Sequence, residues 1–213
     1  MSSTPLLDDP INFWDLRHAA LDPWRSGGDR GLSQAENQEF YSVRMGKIVE
    51  LIRKHASSPS PLSILDAGCG RGHFTEGLRK CGHRVVGIDS SQTAIAWAQE
   101  TYGPHFACSE LDAYAPRAPF DVVMCIDVLF HVVHDDVWRR SLDSFARYAA
   151  AESLLLVTDT FPEQRYDVRG YMVFRTPAEY EQVLREHGFE LALRVPYTFG
   201  SNPVQYAAYR RTV

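Results

Sequence analysis

The stretch Ser63-Ile64-Leu65-Asp66-Ala67-Gly68-Cys69-Gly70-Arg71-Gly72 decides how this chain is read. Ser63–Ala67 is a short apolar run, fit for a buried strand, with an acid near its end. Gly68, Gly70 and Gly72 follow at alternate positions, and a helix-forming segment starts at the last of them. Glycine lets the backbone turn sharply and lets a ligand touch it with no Cβ in the way. A helix start adds outward N–H groups and a partial positive charge, which suits an anionic group. A tight turn without a ligand is the alternative, but one turn rarely needs three alternating glycines. In the G-x-G-x-x-G spacing of dinucleotide-binding turns the third glycine would fall at His73. The Lys-Ser/Thr ending of a phosphate-binding loop is missing too.

Downstream, strand-like and helix-like segments alternate. Segment 72–81 reads as a helix with Phe74, Leu78 and Cys81 on one face. Arg84–Asp89 reads as a strand, 91–102 as a helix, 105–111 and 120–127 as strands. Segment 135–150 is a helix with Trp138, Leu142, Phe145 and Ala149 on one face, and 153–158 is a fifth strand. Near-continuous apolar strands between amphipathic helices indicate a parallel sheet covered on both faces. Segment 161–175 has no clear period and reads as a lid-like insertion. Thr176-Pro177-x-Glu179 has the cap and proline of a helix start, and Gly188 suits its end. Segments 191–199 and 205–211 are strand-like, and their short connection makes them antiparallel neighbours.

Upstream, Ser57-Ser58-Pro59-Ser60-Pro61 is a linker. A helix precedes it, opened by the capping box Ser33-x-x-Glu36, with Tyr41, Met45, Ile48 and Ile52 at helical spacing. Segment 11–24 is apolar and aromatic without a clean period, 25–31 reads as a flexible charged loop, and 1–10 as frayed. The expectation is a doubly wound α/β fold. Residues 62–213 form a seven-stranded, mostly parallel sheet with one antiparallel strand near its end, and residues 1–57 form an N-terminal helical cap.

Asp66 followed by G-x-G-x-G at the end of a first strand resembles the first motif of class I S-adenosylmethionine (SAM)-dependent methyltransferases, a Rossmann-like family. Three further stations follow in order. They are Val85-Val86-Gly87-Ile88-Asp89, Leu111-Asp112-Ala113, and the run from Phe120 to Val132. The resemblance covers residues 40–160, and the tail by element order only. It implies that Gly68, Cys69, Gly70 and Gly72 cradle the amino-acid part of SAM, with Asp66 orienting the loop or the SAM amino group. Asp89, with Ser90 beside it, would hold the ribose hydroxyls, since a carboxylate accepts both protons. Asp89 could equally cap the next helix, as Ser90 and Ser91 could. Asp112 and Ala113 would face the adenine, and Ile126 joins the cofactor set. Arg44 lies within an apolar stripe. It is either a snorkelling side chain or the partner of the SAM carboxylate.

The implied activity is methyl transfer to a small-molecule acceptor, at a hydroxyl oxygen. In an open α/β sheet, ligands sit beyond the carboxyl ends of the strands. His131, Asp159 and His134 are the candidate bases there, imidazole because it titrates near neutrality. Alternatively, His131 packs its turn and His134 faces out beside Asp135 and Asp136. Trp14, Trp24, Arg25, Tyr166, Tyr171, Arg175 and Tyr197 are the candidates for an aromatic and cationic acceptor pocket. No cluster has a convincing metal-ligand geometry. Two other readings stay open. One is methylation of RNA or protein, marked by a contiguous patch of Arg17, Arg25, Arg30, Arg165 and Arg169. The other is a SAM-binding protein without turnover.

The whole chain fits this picture. Its 213 residues suit one domain with an added segment. A net charge of −5 argues against a large nucleic-acid surface. Cys69, Cys81, Cys108 and Cys125 contain no C-x-x-C pair and read as reduced, buried thiols. No signal-like or membrane-spanning run is visible. The expectation is a cytoplasmic monomer or homodimer.

Overall fold

A computed structural model describes residues 9–212, so most of the frayed start expected over 1–10 lies outside the described residues. Among the described residues nine strands form: β1 (Ser63–Ala67), β2 (Arg84–Asp89), β3 (Phe106–Cys108), β4 (Phe120–Cys125), β5 (Ala149–Asp159), β6 (Tyr166–Val168), β7 (Met172–Phe174), β8 (Phe189–Pro196) and β9 (Gln205–Arg211). Seven of them make one sheet in the order β3-β2-β1-β4-β5-β9-β8, and β6 and β7 make a separate hairpin. Strand β9 alone runs against its neighbours, antiparallel to both β5 and β8. The chain builds outward from β1 in both directions, so the sheet's switch point lies between β1 and β4, where open α/β sheets bind ligands.

The helices are α1 (Pro10–Ala20), α2 (Pro23–Ser26), α3 (Gln34–His55), α4 (His73–Lys80), α5 (Gln92–Tyr102), α6 (Asp135–Tyr148) and α7 (Pro177–Glu186). Both expected capping boxes are present: Ser33 with Glu36 at α3, and Thr176 with Glu179 at α7. Alternation along the strands sends side chains to opposite faces. Leu65, Val123 and Leu155 pack with Trp138, Leu142 and Phe145 of α6 and Tyr180 of α7. Ile64, Val122 and Leu154 pack with Ile48 and Ile52 of α3 and Phe74 of α4. Both faces are buried, which is why the strands read as near-continuous apolar runs.

Several boundaries differ from expectation. Helix α6 stops at Tyr148, and β5 starts at Ala149 instead of Ser153. The early part of β5 is irregular: Glu152 has φ 57°, and the pairing shifts register between Phe120 and Val122. A bulge of that kind hides a strand start from pattern reading. The expected strand over 105–111 shortens to Phe106–Cys108. The aperiodic 11–24 holds α1 and α2, whose starts are capped by the side chains of Asp9 and Asp22. The segment 25–31 is pinned to α3, because Asn37 accepts from the Asp29 N–H and donates to the Asp29 carbonyl, both at 2.9 Å. The expected lid at 161–175 contains the β6–β7 hairpin. Its three-residue connection, Arg169 to Tyr171, turns at Arg169 (φ 52°) and Gly170 (φ 67°), with the left-handed backbone that tight hairpins favour.

All four cysteines are free. Only Cys125 is fully buried, while Cys81 and Cys108 are exposed, which corrects the expectation of buried thiols. Among the described residues no helix is long and apolar enough to cross a membrane, and no group of three His, Cys, Asp or Glu side chains could hold a metal ion.

Candidate active site

The glycine loop joins β1 to α4 at the switch point. Gly68, Gly70 and Gly72 have φ of 77°, 54° and 78°, a region other residues rarely adopt. At Gly68 a Cβ would come 2.4 Å from Val128 Cγ2, and at Gly72 2.3 Å from the Phe106 ring. At Gly70 the nearest atom would be His18 Cε1 at 3.6 Å. Packing therefore demands glycine at 68 and 72, whereas 70 leaves open space beside the backbone. Gly68, Cys69 and Gly70 line the main cavity, while Gly72 is turned away and starts α4.

Two carboxylates brace this loop. Asp89 Oδ2 accepts from the Gly70 N–H at 2.8 Å, and Oδ1 accepts from the Ser91 N–H at 2.9 Å. It thus caps locally and still faces the cavity, with lone pairs left on each oxygen. Burial raises its pKa, and the two amides only partly oppose this. Asp66 is 1% exposed and stays out of the cavity wall. It accepts from the Thr75 hydroxyl at 2.6 Å, and burial pushes its carboxyl up to about 7. Of its two expected roles, only orienting the loop fits this position.

Across the cavity, Arg44 of α3 ion-pairs with Asp127 at the end of β4. The guanidinium lies 3.9 Å from the Phe40 ring centroid and 4.3 Å from that of Tyr41. Asp127 also accepts from the Tyr197 hydroxyl and from Thr158 Oγ1 at 3.2 Å, and its backbone has φ 61°. Burial alone would lower the pKa of Arg44. The Asp127 carboxylate, aided by the tyrosines around it, reverses this and raises it. Arg44 Nη2 is buried without a partner, yet Arg44 lines the cavity. Such an orphan donor asks for a ligand carboxylate. Tyr197 is 1% exposed and stands behind Asp127, outside the wall, so it does not touch an acceptor directly.

The cavity holds about 1060 Å³, at the upper end for small-molecule sites. His131 follows β4 in a 3₁₀ turn, Leu129–His131. Its ring packs against Trp14 and Tyr171 at centroid distances of 4.8 and 4.9 Å. Its Nδ1 lies 3.3 Å from the Tyr171 carbonyl, which can only accept, so Nδ1 carries the proton. Burial drops its pKa to about 3, with the nearby Arg17 adding to the fall. The imidazole is therefore neutral, with the Nε2 lone pair unpartnered.

The other candidates divide by position. Ser90, Asp112, Ile126, Tyr166, Tyr171 and His134 line the cavity. Asp112 is also held by Arg140 at 2.9 Å, and His134 is exposed at the start of α6. Asp159 is fully buried behind the wall, where it accepts from the Tyr180 hydroxyl and the Thr160 N–H, both at 2.7 Å. That rules it out as a base on an acceptor. Arg175 is also fully buried, bonded to Asp135 and the Val132 carbonyl. Trp24 stacks on His73 at 4.0 Å, Arg25 faces Asp22, and Ala113 lies outside the wall. None of these three meets a ligand in the cavity.

Sequence reading placed Trp14 among the acceptor-pocket candidates and Asp127 at the start of a candidate stretch, assigned no role to Asp15, and placed Arg17 only in an arginine patch. Asp15 of α1 accepts from Ser91 Oγ at 2.7 Å, Thr93 N at 2.8 Å and Thr93 Oγ1 at 2.9 Å. It caps α5 from outside and anchors the cap beside Asp89. Arg17 donates to the Tyr171 hydroxyl at 2.9 Å and to the Gly28 carbonyl at 2.7 Å, joining α1 to the β6–β7 hairpin over the cavity. An acid directly after a buried apolar strand was the one sequence signal that pointed to Asp127. Nothing local marked Asp15 or Arg17.

Several known proteins similar to this chain are methyltransferases. The chain is 32% identical over 114 residues to a ubiquinone biosynthesis O-methyltransferase of Rickettsia bellii (strain OSU 85-389), a match covering 51% of this chain and 46% of the relative. A protein of the same name from Azoarcus sp. (strain BH72) is 26% identical over 170 residues, covering 70% and 73%. The chain spans about half the length of the Rickettsia relatives it matches. In fold it is similar to magnesium protoporphyrin IX methyltransferase from Synechocystis PCC 6803, solved with bound SAM, with TM-score 0.73, 22% identity and coverage of 95% and 97%. It is also similar to the N-methyltransferase NodS of Bradyrhizobium japonicum WM9, with TM-score 0.69, 21% identity and coverage of 94% and 97%. A family model described as a methyltransferase domain matches residues 37–193, and the chain belongs to that family.

Proposed function

We propose that this protein transfers the methyl group of SAM to a hydroxyl oxygen of a small-molecule acceptor. The observation that carries the donor assignment is the unpartnered, buried Nη2 of Arg44, set in the same cavity as the glycine loop and Asp89. These groups suit a molecule with a carboxylate at one end and a ribose at the other. Arg44 would hold the carboxylate, Gly68 to Gly70 the amino-acid part, and Asp89 the ribose hydroxyls. Asp112 and Ser90 lie where an adenine would rest. SAM supplies an activated methyl on a sulfonium.

The rest falls to the chain's own side chains. Direct displacement needs alignment more than strong base chemistry. His131 offers Nε2 as an acceptor for the substrate hydroxyl, and its Nδ1–H bond to Tyr171 fixes the ring. Trp14 and the hairpin exclude water. The curated relatives carry the name O-methyltransferase, which agrees with a hydroxyl acceptor. A small acceptor is favoured over RNA because Arg165 is taken up by Asp135 and Glu179, and Arg17 faces the cavity. We read the site of action as the cytoplasm.

Calorimetric titration with SAM and with NAD tests the donor. SAM binds, NAD does not, and Gly70→Val abolishes SAM binding. Labelled SAM incubated with metabolite pools then identifies the acceptor. Label found only in RNA or protein would overturn the small-molecule reading.

A further inference from the structure

We infer that Arg17 selects the acceptor, by binding an anionic oxygen that the substrate carries close to the hydroxyl to be methylated. The inference rests on the methyl-transfer reading above and adds the acceptor's charge to it.

Arg17 lines the cavity and forms no ion pair among the described residues. Its hydrogen bonds go to neutral groups: the Tyr171 hydroxyl, the Gly28 carbonyl and, at 3.5 Å, the Arg25 carbonyl. Its Nε is buried with no partner. Arg44, Arg165 and Arg175 each face a carboxylate instead. A partly desolvated cation without a counter-ion is costly, and an anionic ligand relieves it. No acid of the wall pairs with Arg17: Glu110 lines the cavity without an ion pair to it, and the others are engaged elsewhere. Asp127 meets Arg44, Asp112 meets Arg140, Asp89 accepts from two backbone amides, and Asp29 accepts from the Gly31 N–H. Arg30 lines the same cavity and adds a second positive charge.

The placement relative to His131 narrows the substrate further. Trp14 and Tyr171 touch both residues. The Trp14 ring lies 5.0 Å from Arg17 Cζ and 4.8 Å from the His131 ring. The Tyr171 hydroxyl takes Arg17, while its carbonyl takes His131. The anion site and the hydroxyl site thus share two supports and sit within one small molecule's reach. With aromatic walls on either side, the fitting class is an aromatic compound bearing a hydroxyl next to a carboxylate or an ionised hydroxyl. An amine acceptor, once protonated, would be repelled by Arg17.

The test uses the full chain saturated with S-adenosylhomocysteine, and calorimetry with 2-hydroxybenzoate, catechol, phenol and benzylamine. The wild type should bind 2-hydroxybenzoate roughly 10- to 100-fold tighter than phenol, the span expected of a charge-assisted hydrogen bond. Affinity should fall as salt rises. A catechol preference that grows above its pKa would assign the anion to an ionised hydroxyl instead of a carboxylate. Arg17→Gln should erase the preference of 2-hydroxybenzoate over phenol, and Arg17→Lys should restore part of it. If Arg17→Gln loosens the cap, its SAM affinity falls as well, and Arg17→Lys then decides. A wild type with no preference for the charged probe, or a preference kept in both variants, overturns the inference. Failure of the wild type to bind SAM would instead overturn the methyl-transfer reading.

Discussion

Arg44 of α3 and Asp127 at the end of β4 meet across the cavity floor, and one nitrogen of the guanidinium is left over: Nη1 pairs with Asp127, Nε donates to the Phe40 carbonyl at 3.4 Å, and Nη2 has no partner. The pair tethers the N-terminal cap to the sheet and leaves an unpartnered donor on a residue of the cavity wall. Replacing Arg44 with Met leaves Asp127 without its cation and the cavity without its donor. The expected loss of stability is about 3 kcal/mol, since removing one partner of a buried pair is strongly destabilising. Arg44→Lys keeps the charge but cannot serve two partners at once. It should recover most of the stability in urea melts yet leave SAM affinity reduced roughly 10-fold, as one charge-assisted hydrogen bond would predict. Equal recovery of both properties would mean that Nη2 plays no part in binding.

The glycines make separable predictions. Gly68→Ala forces a Cβ into Val128 and also demands a left-handed alanine, so it should destabilise by about 2 kcal/mol or more. Adding Val128→Ala removes the clash but not the backbone strain, so stability returns only in part. Gly70→Ala meets no close atom but still needs a left-handed alanine, so it should cost about 1–2 kcal/mol, less than Gly68→Ala. SAM titration should nevertheless show it weakened, because its Cβ adds bulk beside the ligand-facing backbone.

Asp159 was read from sequence as a base, and its burial converts it into a stability switch. Its carboxyl is raised by burial to about 6, from an ordinary value of 3.8, with the Tyr180 hydroxyl partly opposing the shift. The folded state therefore favours the protonated acid. Its contribution is fullest below pH 3.8, and it is lost as the pH rises through 6. The shift of about two units is worth up to roughly 3 kcal/mol. Asp159→Asn removes the charge, and the Tyr180 hydroxyl can turn to accept from the new amide. The variant should gain roughly 1 kcal/mol over the wild type at pH 8 and nothing at pH 4, by denaturant melts at both pH values. SAM affinity should not move. A drop in turnover with unchanged stability would return Asp159 to the site.

Most of the sheet was legible because its strands are buried on both faces and its helices carry one apolar stripe each. The loop, Asp89 and Arg44 were legible for a related reason: each is fixed by its place along one strand or helix. Asp159, Arg175 and Tyr197 misled, because a polar side chain at a strand end looks the same in sequence whether it faces the cavity or the core. Asp15 and Arg17 were hidden, because their partners, Ser91, Thr93 and Tyr171, are 76 to 154 residues away. The β6–β7 hairpin was hidden by its length, since strands of three residues carry no readable period.

His131 gives the sharpest test of how the acceptor is handled. Burial holds its imidazole neutral, down to about pH 3, so it cannot retain a proton at working pH. In the proposed reaction it would orient the hydroxyl through Nε2 and leave proton removal to the acceptor's own acidity. His131→Gln keeps an acceptor oxygen within reach, and His131→Phe keeps only the packing against Trp14 and Tyr171. Turnover should fall roughly 10- to 100-fold in the phenylalanine variant and less in the glutamine one, below the 10²–10⁴ of a full general base. The decisive reading is the pH profile of kcat. With an orienting histidine, no inflection near 6.5 belongs to His131, and the wild type and His131→Gln run parallel. An inflection near 6.5 that disappears in His131→Gln would show that the imidazole takes the proton, and that acceptor binding restores an ordinary pKa. The same burial predicts acid sensitivity of the fold. A histidine held neutral stabilises fully above pH 6.5, and that contribution fades as the pH falls toward 3. His18 and His73, both lowered by burial to about 4, add to the same decline.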